Sequence, residues 1–293
     1  MHCDNSAQML PVAATEPAGW TFYPGPFLLL LPVTVAYIAR WRAVGAHPGR
    51  LVLFLLGITA AVIAFFSPVD ALGDELLTMH MVQHLLLLDI APILVFLGLT
   101  KAIFRPATKR LIQLERSAPW LLSPVLGVCA YIGGMWLWHW PALYDAAVEK
   151  PLVHALEHLT FTVIGGLYWW HLISPIRDQR KLSGMGAVMY MAATKVFVGM
   201  LGIALTFIPR SIYPVYQDQV NRWGITAVED QSLAGVIMAT EQSIIMGIAL
   251  VWLVAQAIER SEKEQQRKEK FGEPGRATRA SAGPKPGGSR ELY

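Results

Sequence analysis

The chain has 293 residues, 54% of them hydrophobic and 15% charged, with a formal net charge of +3. With a mean hydropathy of +0.42 it is too apolar for an ordinary soluble domain, so the lipid bilayer is its expected solvent and no nucleic-acid partner is expected. Its two cysteines, Cys3 and Cys129, make no plausible disulfide framework.

Residues 1–23 contain no Lys or Arg and no apolar run before the first candidate span, so no signal peptide is predicted and the segment is placed outside the cytoplasm. A crossing needs roughly 20 mainly apolar residues. Stretches of that kind run over 24–42, 51–67, 77–100, 120–140, 152–174, 185–208 and 232–257, which predicts an all-α bundle of seven transmembrane helices. Lys and Arg are retained preferentially on the cytoplasmic side. They gather in alternate connections: Arg40, Arg42 and Arg50; Lys101, Arg105, Lys109, Arg110 and Arg116; Arg177, Arg180 and Lys181; and the segment after Glu259. An N-terminus outside and a C-terminus inside fits every connection. Residues 259–293 are polar and rich in Gly, Pro and Ser, so a disordered cytoplasmic tail is expected to follow a transmembrane domain over 24–258.

Within these spans the polar residues are few and unevenly placed. The third span begins "TMHMVQHLLLLDIAP" (78–92), with His80, Gln83 and His84 in its first turns. The fourth ends on His139, one helical turn after Met135, and the fifth opens on His154, Glu157 and His158. Five of the eight histidines therefore gather toward the outer side. His2, His47 and His171 stand apart and are assigned surface or interfacial roles, while Cys129 reads as a small packing residue.

Residues i, i+3 and i+4 share one face of a helix. His80-x-x-Gln83-His84 and His154-x-x-Glu157-His158 are the same H-x-x-[Q/E]-H pattern twice, so each helix presents two imidazoles and a carboxamide or carboxylate on one stripe. Facing each other beside His139, the stripes make a five-imidazole metal site. A single histidine in a membrane helix is often only an interhelical hydrogen-bond partner, but polar side chains there are costly and mark function when they cluster. Imidazole suits copper, zinc, iron and nickel, and nearby thioethers (Met79, Met81, Met135, and Met238 on the seventh span) favour Cu(I). Gln83, Glu157 and Gln231 are placed to orient imidazoles from behind. Asp230 either supplies a carboxylate or caps its own helix. Deeper, Asp89, Lys195 and Glu241 are expected to form an ion pair of Lys195 with one of the acids, the alternative being a proton or ion path.

Five ordered blocks, "MHMVQHLLLLDIAPILVFLG" (79–98), "MWLWHWPALYDAA" (135–147), "VHALEHLTFTVIGGLYWW" (153–170), "GIALTFIPRSIYPVY" (202–216) and "DQSLAGVIM" (230–238), resemble the polytopic CtaG family of bacterial cytochrome c oxidase assembly factors. This is the multi-span class, not the single-span copper chaperone of the same name. The resemblance covers roughly residues 20–257. It implies a non-enzymatic protein of the bacterial plasma membrane that helps copper reach a haem-copper oxidase, with oxidase subunits and a periplasmic or extracellular copper carrier as partners. The family's histidine blocks fall on His80, His84, His139, His154 and His158, and its seventh-span block on Asp230, Gln231 and Met238. Where relatives usually carry a double proline, this chain has Ala91-Pro92-Ile93. Three other readings stay open at this stage: a haem-binding electron carrier, a metal-free assembly scaffold, and a metallopeptidase built on His154-x-x-Glu157-His158.

Overall fold

The computed structural model describes residues 19–175, 182, 184–217 and 223–271; His2, Cys3, the basic connection 176–181 and residues 272–293 lie outside these. The described residues are almost wholly helical, with no strand among them. In chain order the helices are α1 (Pro24–Val44), α2 (Pro48–Phe66), α3 (Pro68–Gly73), α4 (Leu77–Leu85), α5 (Ala91–Gly98), α6 (Lys101–Ser117), α7 (Pro124–Trp138), α8 (Pro141–Glu149), α9 (Pro151–Ile173), α10 (Met185–Phe207), α11 (Pro214–Gln217) and α12 (Ala227–Phe271). A π-helical turn, Leu86–Ile90, joins α4 to α5, and a 3₁₀ turn, Pro119–Leu122, precedes α7. Many helices open on proline, which suits a first turn because its missing N–H has no intrahelical partner there anyway.

Among the described residues, five helical stretches are long and apolar enough to cross a membrane: Pro24–Val44, Pro48–Phe66, Leu77–Gly98, Met185–Phe207 and Ala227–Lys270. Helix α7 is apolar but has 15 residues, and α9 has the length, 23 residues, while carrying His154, Glu157, His158 and His171.

The broken helix α4–π–α5 is the axis of the bundle, packed against α2, α9 and α12. Its break follows from Pro92. Proline has no N–H to bond the carbonyl four residues back and its ring collides with that carbonyl. Here that carbonyl belongs to Leu88. The helix widens instead, so that Ala91 N–H reaches Leu86 O in a five-residue step. The displaced Leu88 carbonyl is pushed toward α9, where a Cβ on Gly165 would stand 2.2 Å from it. Only glycine lets these two helices meet. Around the axis α7 packs on α9 and α10, α10 packs closely on α12, and α1 lies at the edge against α2 and α6.

The structure revises several expectations. Of the two acids expected to pair with Lys195, Asp89 pairs with no lysine among the described residues: Tyr131 Oη–H donates to its Oδ2 at 2.8 Å and Trp169 Nε1–H to its Oδ1 at 2.7 Å. Lys195 is exposed, 3.5 Å from Ser243 Oγ, because its helix turns that face outward. His171 is buried beside Tyr190 and not on the protein surface, whereas His47 caps α2 by accepting from Gly49 N–H at 3.1 Å. Cys129 is exposed on the flank of the bundle and is not part of its packing. The expected disorder from residue 259 begins too early, since α12 continues to Phe271. Glu, Gln, Lys and Arg are strong helix formers, and Glu259 pairs with Lys263 one turn on.

Candidate metal centre

Three corners meet at one end of the bundle: α2–α3–α4, α7–α8–α9 and α10–α11–α12. On α4 the face Leu77, His80, Met81 and His84 is buried. On α9 the opposing face is Glu157, His158 and Phe161, with His154 half-buried above them. The two stripes face each other as the repeated pattern requires. One donor atom from each of His80, His154, Glu157 and His158 lies within 4.8 Å of the others. Ring centroids stand 5.3 Å apart for His80 and His154, and 5.8 Å apart for His84 and His158. His139, the C-cap of α7, approaches His84 at 6.1 Å between centroids.

Glu157 ties the imidazoles together. Its Oε2 is 3.2 Å from His80 Nε2 and its Oε1 is 3.4 Å from His84 Nε2, with Glu157 and His80 at 0% exposure. A buried carboxylate is costly unless such partners surround it. Several ring nitrogens have no such partner: His80 Nδ1, His84 Nδ1, His154 Nε2 and His158 Nε2 are buried without a hydrogen bond among the described residues. Unsatisfied buried nitrogens cost about 1–3 kcal/mol each, so their gathering in one place suits a ligand that accepts lone pairs. Replacing Glu157 by Gln removes the charge and one acceptor while keeping the shape. Metal affinity is expected to fall by roughly 10–100-fold, read by titration against a competing chelator.

The outlying residues have other tasks. Gln83 turns away from the imidazoles: its amide donates to Ala64 O and Asp70 Oδ1, both at 2.7 Å, and fastens α4 to α2 and α3. Gln231 pins the segment after α10, accepting from Ile212 N–H at 2.8 Å. Asp230 caps a helix, but not its own. Its carboxylate accepts from Leu77 N–H at 2.6 Å and Thr78 N–H at 3.0 Å, satisfying the first turn of α4 from a position 153 residues away in sequence. Helix α12 is capped instead by Thr226 and Glu229. Asp230→Ala is therefore expected to cost about 1–3 kcal/mol, seen as a lower midpoint of thermal unfolding, and to loosen His80 and His84 with the helix that carries them.

Among the methionines, Met81 takes the place given to Met79. At 100° per residue Met81 lies about 60° from His84 around the helix and Met79 about 140°. Met81 Sδ is 3.3 Å from His139 Nε2. Met81, Met135 and Met238 converge with His84 on a cavity of about 20 Å³. The reading of ligands alone also missed the aromatic cover. Tyr144 on α8 lies 5.0 Å from His80 between ring centroids and stacks toward Tyr213, while Tyr216 Oη–H donates to Gly73 O at 2.8 Å. Tyr144 and Tyr213 are fully buried. All three sit in the sequence blocks 135–147 and 202–216, where no spacing pattern marks a tyrosine as part of a metal site.

Comparison with known proteins bears on this arrangement. The family model described as cytochrome c oxidase caa3 assembly factor (Caa3_CtaG) matches residues 34–260. The chain belongs to this family. The match runs from within α1 to within α12, so His80, His84, His139, His154, His158, Glu157 and the tyrosine cover of this CtaG-family chain fall inside it. It is also similar to an uncharacterised protein of Mycobacterium leprae, 26% identical over 76% of this chain and 37% of that protein. Uncharacterised proteins of Mycobacterium bovis and Mycobacterium tuberculosis are each 27% identical over 78% of this chain and 37% of their own length. The chain thus spans little more than a third of the curated relatives it matches. No solved structure matches.

Proposed function

We propose that this CtaG-family chain helps assemble a haem-copper cytochrome c oxidase by taking up copper as Cu(I) at His80, His84, His139, His154 and His158 and passing it to an oxidase subunit. The observation that carries the reading is the convergence of four donor groups within 4.8 Å, lined by buried imidazole nitrogens without partners. Copper is cargo here, and the protein is no enzyme. Glu157 supplies the negative charge that offsets the cation, and Tyr144, Tyr213 and Tyr216 keep water out. Surplus donors let the ion step from one subset to the next without a bare ion in a low-dielectric interior.

In this reading α7 with its preceding 3₁₀ turn, and α9, join the five apolar crossings to make seven. The 23 residues of α9 would span roughly 34 Å, and its lowered hydropathy comes from the site's own side chains. The basic connections carrying Arg40, Arg42, Arg50 and Lys101 to Arg116 lie at the opposite end from the site. By the positive-inside tendency the site then faces outward across the bacterial plasma membrane, toward a periplasmic or extracellular copper carrier.

Two rivals fit the packing less well. A porphyrin needs a slot of several hundred Å³, and the cavity beside His84 holds about 20 Å³. A peptidase base must be free to activate water, yet Glu157 is fully buried with its Oε2 held 3.2 Å from His80 Nε2. Metal analysis of the purified protein beside a variant lacking all five histidines tests the proposal. Copper in the first and not in the second is expected; equal copper in both sinks it, and none in either sinks it and leaves a metal-free scaffold.

A further inference from the structure

A second group of soft donors lies beside the imidazole cluster. Met81 on α4, Met135 on α7 and Met238 on α12 come from three helices, are 2%, 4% and 6% exposed, and line the same small cavity as His84. Methionine is a common filler of irregular gaps, and filling is the ordinary explanation for any one of them. Here, however, three thioethers converge and leave a space unfilled. The cavity, about 20 Å³, exceeds the roughly 10–15 Å³ that one water-sized occupant needs.

Two donor groups point to the occupant: His84 in the lining of the cavity, and His139 beside it, against the Met81 sulfur. His84 is 3% exposed and its Nδ1 has no hydrogen-bond partner among the described residues. His139 Nδ1 lies 2.7 Å from Met135 O, a carbonyl that can only accept, so the ring proton sits on Nδ1. A neutral His139 then presents a bare lone pair at Nε2, and 3.3 Å from it stands the Met81 sulfur, which has lone pairs of its own. Two lone-pair donors held face to face are suited by a cation that both can ligate. Thioethers select soft monovalent ions over harder divalent ones. Asp89 and Glu241 line the same cavity and place carboxyl groups near such a charge.

We propose that Met81, Met135 and Met238, with His84 and His139, form a distinct thioether station for Cu(I), deeper in the bundle than the His80, His154, Glu157 and His158 cluster. His84 serves both, since it also reaches Glu157 at 3.4 Å. The inference rests on the proposed copper reading for the route an ion takes, but not for the existence of the second station. The two stations differ in softness: the imidazole and carboxylate cluster accepts divalent ions such as Zn(II), and the thioether station refuses them. An ion passing inward is thereby sorted for Cu(I).

The test uses the full chain in lipid nanodiscs, with Ag(I) as a redox-inert substitute for Cu(I) and excess Zn(II) as competitor. Wild-type protein is expected to keep one equivalent of Ag(I) against Zn(II), and X-ray absorption at the silver edge should show sulfur neighbours. The variant Met81→Leu, Met135→Leu, Met238→Leu, which conserves volume, should lose that equivalent and still bind Zn(II), so retained Zn(II) certifies its fold. The variant His80→Ala, His154→Ala, His158→Ala should lose Zn(II) and keep the resistant Ag(I). Undiminished Ag(I) in the leucine variant, or only nitrogen and oxygen neighbours in wild type, overturns the thioether station, the latter reading being that a water fills the cavity. Zn(II) failing to bind wild type while sulfur-ligated Ag(I) persists would instead overturn the imidazole reading and leave this one standing.

Discussion

His80→Ala and His158→Ala, each alone, should leave the protein in the membrane yet strip the imidazole cluster of its copper, leaving at most the equivalent held by the thioether station, and lower oxidase activity in cells that depend on it. Loss of a residue that merely orients a ligand costs roughly 10–100-fold in affinity, so loss of a ligand in a cluster of four should exceed that. His80 is the more severe case because it also loses its contact with Glu157, 3.2 Å away, and leaves that carboxylate one partner short in a buried site. His158 has no such tie among the described residues, and its Nε2 is buried without a hydrogen bond. The pair therefore separates two effects: both variants lose the copper of the imidazole cluster, while His80→Ala alone also unfolds at lower temperature. Copper per protein and thermal unfolding, measured on the same preparations, check both halves. Unchanged copper content in both variants would remove the basis for copper delivery.

Gly165→Ala should be the most damaging single methyl group added to this protein. Its Cβ would lie 2.2 Å from Leu88 O and 2.8 Å from Leu88 C, both backbone atoms that cannot swing aside. Overpacking usually costs about 1–3 kcal/mol, and a collision with backbone belongs at or above the top of that range. The neighbouring Gly166 is the control. A Cβ there meets nothing within 4 Å, and alanine is favoured over glycine in a helix by about 1 kcal/mol. Gly166→Ala should leave the unfolding midpoint unchanged or raise it, while Gly165→Ala lowers it by several degrees and weakens metal binding as α9 parts from the axis. Equal midpoints for the two variants would mean that α9 and the π-turn are not packed as described.

The Gly165 contact also shows how far the sequence could be read. Pro92 announces a disturbance in the third span, because a proline in the interior of a helix removes a hydrogen bond. What it does not announce is the form of that disturbance. A kink and a π-turn satisfy the same local constraint, and the choice falls to the neighbour that must accept the displaced Leu88 carbonyl. Helix ends were legible for similar reasons: proline at first turns and charge clusters between apolar runs placed six of the spans within a few residues of their helices. The seventh ran on past residue 258 because the hydrophobic signal stops where lipid stops, whereas helix propensity does not.

Within the candidate site, the sequence by itself determined the facing stripes, since an H-x-x-[Q/E]-H spacing fixes which side chains share a helical face whatever surrounds them. His80, His84, Glu157, His154 and His158 follow from that periodicity alone. Tertiary structure decided everything that depends on which helix stands opposite. It sent Asp230 to cap α4 rather than its own helix, turned Gln83 toward α2 and α3, preferred Met81 to Met79, and joined Asp89 to Tyr131 and Trp169 instead of to Lys195. Periodicity records the direction in which a side chain leaves its own helix; the partner it finds depends on the packing of helices far apart in the chain, which no local pattern encodes.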